Sequence, residues 1–139
     1  MSDARRGTTG EYRFVAPCTV QIKFHGKIDE AQARSLLGRA AERAVGLPYV
    51  LLEVDISEMA GASPESRRIS AELLRSMPYR IIAVHGGSFA QRIIAKLVVK
   101  ASEMLSDGRQ ISSFFEHEAD AQAWARAQAA TLDEPAMRS

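Results

Sequence analysis

The chain has 139 residues, of which 46% are hydrophobic and 25% charged, with a formal net charge of +1. This length suits one domain with one core, and the composition is that of an ordinary globular protein rather than a disordered or fibrous one. So small a net charge provides no global field to attract nucleic acid or a membrane surface.

The N-terminal MSDARRGTTG has no apolar h-region and is not expected to be a signal peptide. Both ends are polar, which predicts flexible tails at 1–10 and 131–139 around one folded domain at 11–130. The lone cysteine, Cys18, cannot close an internal disulfide and fits a cytoplasmic location. Residues 11–26 read as two strands broken near Ala16–Pro17, with Tyr12/Phe14 and then Val20/Ile22/Phe24 alternating. Two strands so close in sequence predict an antiparallel pair. Residues 29–45 predict a helix with Ala33, Leu36, Leu37, Ala40 and Ala44 on one face, Asp29 as N-cap and Gly46 as the stop. The nearly continuous apolar run YVLLEVDI, 49–56, predicts a strand covered on both faces.

The alternation continues. A small-residue loop leads to a helix over 64–77, with Ile69, Leu73 and Met77 on one stripe, and then to a buried strand, RIIAVH, at 80–85. A helix over 89–105 is expected to turn Phe89, Ile93, Leu97, Val98, Ala101 and Leu105 inward. Its longest apolar stretch, IIAKLVV, is too short to cross a bilayer and carries Lys96. A last strand at 111–116 and a helix at 119–129, anchored by Trp124, complete the order ββαβαβαβα. Strands alternating with helices imply right-handed crossovers and a mainly parallel mixed sheet, with the antiparallel first strand at or near an edge.

VLLEVDISEM with the loop and helix after it, YRIIAVHGGSFAQRIIAKL, and the ending ISSFFEHEADAQAW together resemble, in that order, the STAS domain, and within it the SpoIIAA-like group. The resemblance covers roughly residues 11–130. It implies a single α/β STAS/SpoIIAA-like domain, the fold of bacterial anti-sigma-factor antagonists. The function implied is that of a non-enzymatic regulatory module with a protein partner. The same resemblance extends to CRAL-TRIO lipid-transfer domains, which supplies the alternative: a small-ligand or lipid binder using the carboxyl ends of the strands or an apolar slot under the sheet.

In the phosphorylated antagonists a serine at the start of the helix takes a phosphate, after a loop that reads roughly Asp-Ser-Ser-Gly. Asp55-Ile56-Ser57 and Met59 match the lead-in here. Ala60-Gly61-Ala62-Ser63-Pro64 then departs from it, with one extra residue. The resemblance makes Ser63 the positional candidate for a phosphoacceptor or partner contact, with Ser57 beside it. Chemistry alone gives Ser63 another role. A serine N-cap accepts from free backbone N–H groups, Pro64 at N1 has no donor to orphan, and Glu65 suits the helix dipole. A phosphate would also be favoured at that helix start.

His85-Gly86-Gly87-Ser88 marks a second candidate. Glycines between a buried strand and a helix let backbone donors approach an anion, and Arg92 follows one turn later. The carboxyl ends of the parallel strands also bring Ser57, His85 and His117 to one edge, where ligands of open parallel sheets collect. This predicts a small-anion or ligand site at His85, Gly86, Gly87, Ser88, Arg92 and His117. The alternative is a tight turn with Ser88 as an ordinary cap. A hydrolase built on Ser88, with His85 or His117 and Asp55 or Glu116, has the residue types, but there is no G-x-S-x-G and no enzyme is expected. His25, His85 and His117 lack ligand spacing, so neither a metal nor a cofactor is expected. Arg92, Lys96 and Lys100 form a basic ridge on the third helix.

Overall fold

The computed structural model describes residues 10–104 and 108–138, with no side-chain detail beyond Asp133. The predicted tail at 1–10 therefore lies, except for Gly10, outside the described residues. Strands β1 (Glu11–Val15), β2 (Thr19–Ile28), β3 (Tyr49–Ala62), β4 (Tyr79–His85) and β5 (Gln110–Phe115) form one sheet in the order β1-β2-β3-β4-β5. β1 is antiparallel to β2, and the other neighbours are parallel. The helices are α1 (Glu30–Ala44), α2 (Pro64–Arg75), α3 (Phe89–Met104) and α4 (Glu118–Arg138).

Because consecutive strands are neighbours in space, right-handed crossovers put α1, α2 and α3 on the same face of the sheet. Val20, Ile22 and Phe24 of β2, and Leu52, Val54 and Ile56 of β3, meet Leu36, Ile69, Leu74 and Val99 there. Among the described residues no strand follows β5, and α4 lies over the opposite face. There Ala121, Ala125 and Ala129 pack on Leu51, Ile81 and Ala83. β4 is covered from both sides, so its run from Arg80 to His85 is buried throughout. Cys18 is buried.

The helices start where their caps are. Asp29 Oδ1 accepts from Gln32 N–H at 2.8 Å. The Gln32 side chain then ties α1 to β2 through both groups of His25, donating to its carbonyl at 3.1 Å and accepting from its N–H at 3.0 Å.

Three expectations need correction. First, β3 does not end at residue 56. It runs to Ala62 in register with β2, His25 facing Glu58 and Ile28 facing Ala62, with irregularities near Lys23/His25 and Gly26/Lys27. The supposed loop is therefore paired strand. Its small residues follow bulges in the ladder, which admit extra residues without breaking the pairing.

Second, α3 turns a different face inward. Val99 and Ser102 are buried and Ile94, Ala95 and Val98 are half-buried, whereas Phe89, Ile93, Leu97 and Ala101 are exposed. Leu105 lies outside the described residues. Apolar residues occupy most of this helix's circumference, so its periodicity does not select one face. Third, α4 continues to Arg138, past the expected end at Ala129 and through most of 131–139.

Candidate functional site

Ser63 stands at the junction of β3 and α2. Its N–H donates to the Ile28 carbonyl at 3.0 Å, which holds it to the end of β2. Its Oγ accepts from Ser66 N–H at 3.1 Å, and Ser66 Oγ returns a hydrogen bond to the Ser63 carbonyl at 2.8 Å. With extended backbone at Ser63 and Pro64 opening the helix, this is a complete N-cap. Ser57 is exposed on the extended part of β3, and its N–H donates to Asp55 Oδ1 at 2.8 Å. Burial opposes ionisation of Asp55. Hydrogen bonds from Ser57 and the charges of His85 and Lys23 outweigh it and hold the carboxyl below its usual range.

The His85–Ser88 turn is largely satisfied from within. Gly86 N–H donates to the Phe115 carbonyl at 3.1 Å. Ser88 and Gln91 form a reciprocal capping box: Ser88 N–H donates to Gln91 Oε1, and Gln91 N–H donates to Ser88 Oγ at 3.3 Å. Gln91 Nε2 also donates to the Met59 carbonyl, which fastens α3 to β3. Arg92 Nη1 donates to the Gly87 carbonyl at 2.8 Å. Gly86 and Gly87 have φ of +83° and +77°, and a Cβ on Gly87 would sit 3.0 Å from Ile56. The turn thus needs glycine for its backbone shape and its close approach to β3. His117 lies beyond β5 with an exposed ring, 3.9 Å from Glu116. The strand ends therefore bring Ser57 against Gly86, while His85 is buried and His117 faces solvent. No group of three His, Cys, Asp or Glu able to hold a metal occurs among the described residues.

Two further features bear on function: one that the sequence does not announce, and one that answers to the apolar slot the resemblance implies. The first is the outer surface of α3. Phe89 is 73% exposed, Ile93 41%, Leu97 54% and Met104 77%. Leu97 and Ala101 share a groove with Pro64, Arg67, Arg68 and Arg75 of α2, so the exposed apolar ridge adjoins the helix headed by Ser63. Lys96 and Lys100 flank its other side, with Lys96 Nζ 5.5 Å from the Phe114 ring centre. The second is an apolar cavity of about 60 Å³ between sheet and helices, bounded by Phe24, Val54, Met59, Leu74 and Val98. Arg67 lines it, and its buried Nε has no partner among the described residues.

A five-stranded mixed sheet with three helices on one face and one on the other is the SpoIIAA-like fold. Comparison with solved structures agrees. An uncharacterized protein of the DUF3478 family with a SpoIIAA-like fold, from Shewanella loihica PV-4, superposes with a TM-score of 0.56 at 16% identity, over 84% of this chain and 92% of that one. The anti-sigma factor antagonist SpoIIAA in its unphosphorylated form superposes with a TM-score of 0.52 at 12% identity, over 86% of this chain and 98% of that one. No protein-family model and no curated protein sequence matches the chain. No helix among the described residues is long and apolar enough to cross a membrane.

Proposed function

We propose that this chain is a non-enzymatic STAS-like regulatory module of a bacterial, cytoplasmic type, which binds a protein partner through the face formed by α2 and α3. The observation that carries this reading is the ridge Phe89, Ile93 and Leu97, exposed beside the helix that Ser63 caps. Exposed apolar side chains in a row on one helix mark an interaction surface. Arg67 and Arg75 on one side, where Arg68 is held by Glu65 and Glu72, and Lys96 and Lys100 on the other call for a partner with an apolar centre and an acidic rim. The anti-sigma factor antagonist of similar fold supports the regulatory class. Ser63 precedes Pro64, which lines that groove, and a phosphate added to Ser63 would bring negative charge to a surface built for an acidic partner.

Native mass spectrometry of the protein isolated from its own host tests this reading. A stoichiometric protein complex that is lost in Leu97→Ser supports it; a monomer without a partner, or a complex unaffected by Leu97→Ser and by Ser63→Asp, refutes it. A hydrolase built on Ser88 is the competing class. Ser88 already serves as a cap, so the purified protein is expected to be inert toward activated esters. Turnover abolished by Ser88→Ala in a folded protein would refute the non-enzymatic reading.

A second reading, a small ligand in the apolar slot, draws on the cavity and on Arg67 Nε at its wall. A space of about 60 Å³ holds only a few atoms. A lipid chain would need α3 to move outward, and the same mass spectra would show such a ligand directly.

A further inference from the structure

The sheet face opposite α1, α2 and α3 is only partly covered by α4, and the uncovered part carries ordered rows of polar side chains. Strand register places Glu11, Lys23, Asp55 and His85 in one row across β1 to β4, and Arg13, Gln21 and Glu53 in the next. These residues, with Glu118 at the start of α4, line a pocket of about 180 Å³. Cross-strand pairs of opposite charge are a known source of sheet stability, and Glu11–Lys23–Asp55 fits that pattern. His85 extends the row opposite Asp55, whereas Glu53 faces Gln21 and Ala83 and has no opposite charge across either strand.

Glu53 is only 6% exposed, yet its hydrogen bonds come from neutral amides, Gln21 Nε2 at 2.9 Å and Gln122 Nε2 at 3.4 Å. It enters none of the ion pairs among the described residues. A buried carboxylate without a counter-charge is costly. His85 is also 6% exposed, lines the same pocket, and makes no hydrogen bond through either ring nitrogen among the described residues. Four carboxylates, Glu11, Glu53, Asp55 and Glu118, face two cations, Arg13 and Lys23, so the pocket is net negative when His85 is neutral. Glu53 and Asp55 stand two residues apart on one strand face, roughly 7 Å along the strand, so one cation between them reaches both carboxylates.

We propose that this pocket binds a small organic cation, a primary ammonium or guanidinium compound. Glu53 is its counter-ion, Asp55 its second acceptor, and His85 its third polar contact. The site lies on the face of the sheet opposite the α2–α3 surface and is independent of the protein-partner reading.

The test titrates the full-length, 15N-labelled protein with methylammonium chloride and methylguanidinium chloride, with sodium chloride and sodium acetate at matched ionic strength as controls. Saturable amide shifts at Glu53, Asp55 and His85 are expected with the cations only. Glu53→Gln keeps the shape and the amide hydrogen bonds but removes the charge, and should weaken binding about tenfold or more. Glu116→Gln, which removes an exposed carboxylate outside the pocket, should leave binding unchanged. If Glu53→Gln does not fold, Asp55→Asn takes its place and should also weaken binding. A linear response identical to that of sodium chloride, saturable binding of acetate, or cation binding unaltered by the pocket substitution would each overturn the proposal and leave the rows as sheet-stabilising pairs.

Discussion

Arg80 is read in the sequence as the first residue of a buried strand, yet it is a fully buried guanidinium. Its Nε donates to Gln110 Oε1 at 2.6 Å, and its Nη1 donates to the Met77 carbonyl at 2.9 Å and the Pro78 carbonyl at 3.3 Å. These carbonyls lie just past the end of α2, where helix ends leave acceptors unpaired and the dipole favours a cation. Gln110 carries the network on, accepting from Ser102 Oγ at 2.9 Å and donating to the Val99 carbonyl at 3.0 Å. Burial, with Arg109 adding like charge, lowers the Arg80 guanidinium to about 10. Its folded value is then below its unfolded one, so above about pH 10 the unfolded chain holds more of this proton than the folded chain. The contribution of Arg80 to stability should therefore rise as pH rises through that value. Urea unfolding of the wild type and of Arg80→Met, compared as a difference, measures it: the gap should move in favour of the wild type on the alkaline side. A gap independent of pH would mean that the guanidinium is not strained by burial. Ser63 gives the complementary test at neutral pH. Ser63→Ala should cost about 1 kcal/mol, and Ser63→Asp, which still caps, much less.

The elements of this fold are legible wherever the apolar pattern admits one interpretation. β2 alternates from Thr19 to Phe24, β4 is buried from Arg80 to His85, and α1 places Ala33, Leu36, Leu37, Ala40 and Ala44 on one stripe; all three stand as the sequence predicts. The pattern fails where it is ambiguous. Ser57–Ala62 has loop-like composition but lies in a strand held by His25–Ile28 of β2, a contact that no local signal announces. α3 carries two apolar stripes, 89/93/97 and 94/95/98, and the choice between them depends on the sheet beneath. Ser102 is buried because Gln110 and the Val99 carbonyl await its hydroxyl. The candidate site is less legible than the fold. Ser63 and Ser88 can be placed as caps from sequence, whereas Glu53 is drawn into its pocket by strand register and Arg67 into the cavity by helix packing. If the outer stripe of α3 is a binding surface and not core, Phe89→Ser and Leu97→Ser should each leave stability within about 0.5 kcal/mol, as exposed substitutions do. Val99→Ala, on the buried stripe, should cost about 2 kcal/mol from lost burial and the space left behind. Denaturant midpoints of the three variants decide the matter, and a large loss at Leu97 would return that residue to the core.

At the scale of the whole molecule the two sides of the sheet are unequal. The side under α1, α2 and α3 buries Leu, Ile, Val, Phe and Met side chains, whereas α4 contributes three buried alanines and half-buried Trp124 and Leu132. Trp124 meets Phe115 with ring centres 5.8 Å apart, and Tyr49 Oη donates to the Asp133 carboxylate at 3.2 Å. Gln122 adds a hydrogen bond to Glu53, but the layer stays thin, since alanine offers few methylenes to bury. Regions with few buried apolar contacts open at lower free energy than the core they cover. α4 should therefore exchange its amide hydrogens through an opening that leaves β3 and β4 protected, while those strands exchange only by global unfolding. Trp124→Ala should lower the opening free energy of α4 by about 2 kcal/mol, less than for a fully buried tryptophan, and shift β3 and β4 far less. Native-state hydrogen exchange at low denaturant separates the two cases. If α4 and the central strands share one opening free energy in the wild type and fall together in Trp124→Ala, the thin layer is part of a single cooperative unit and the inequality of the two sides has no dynamic consequence.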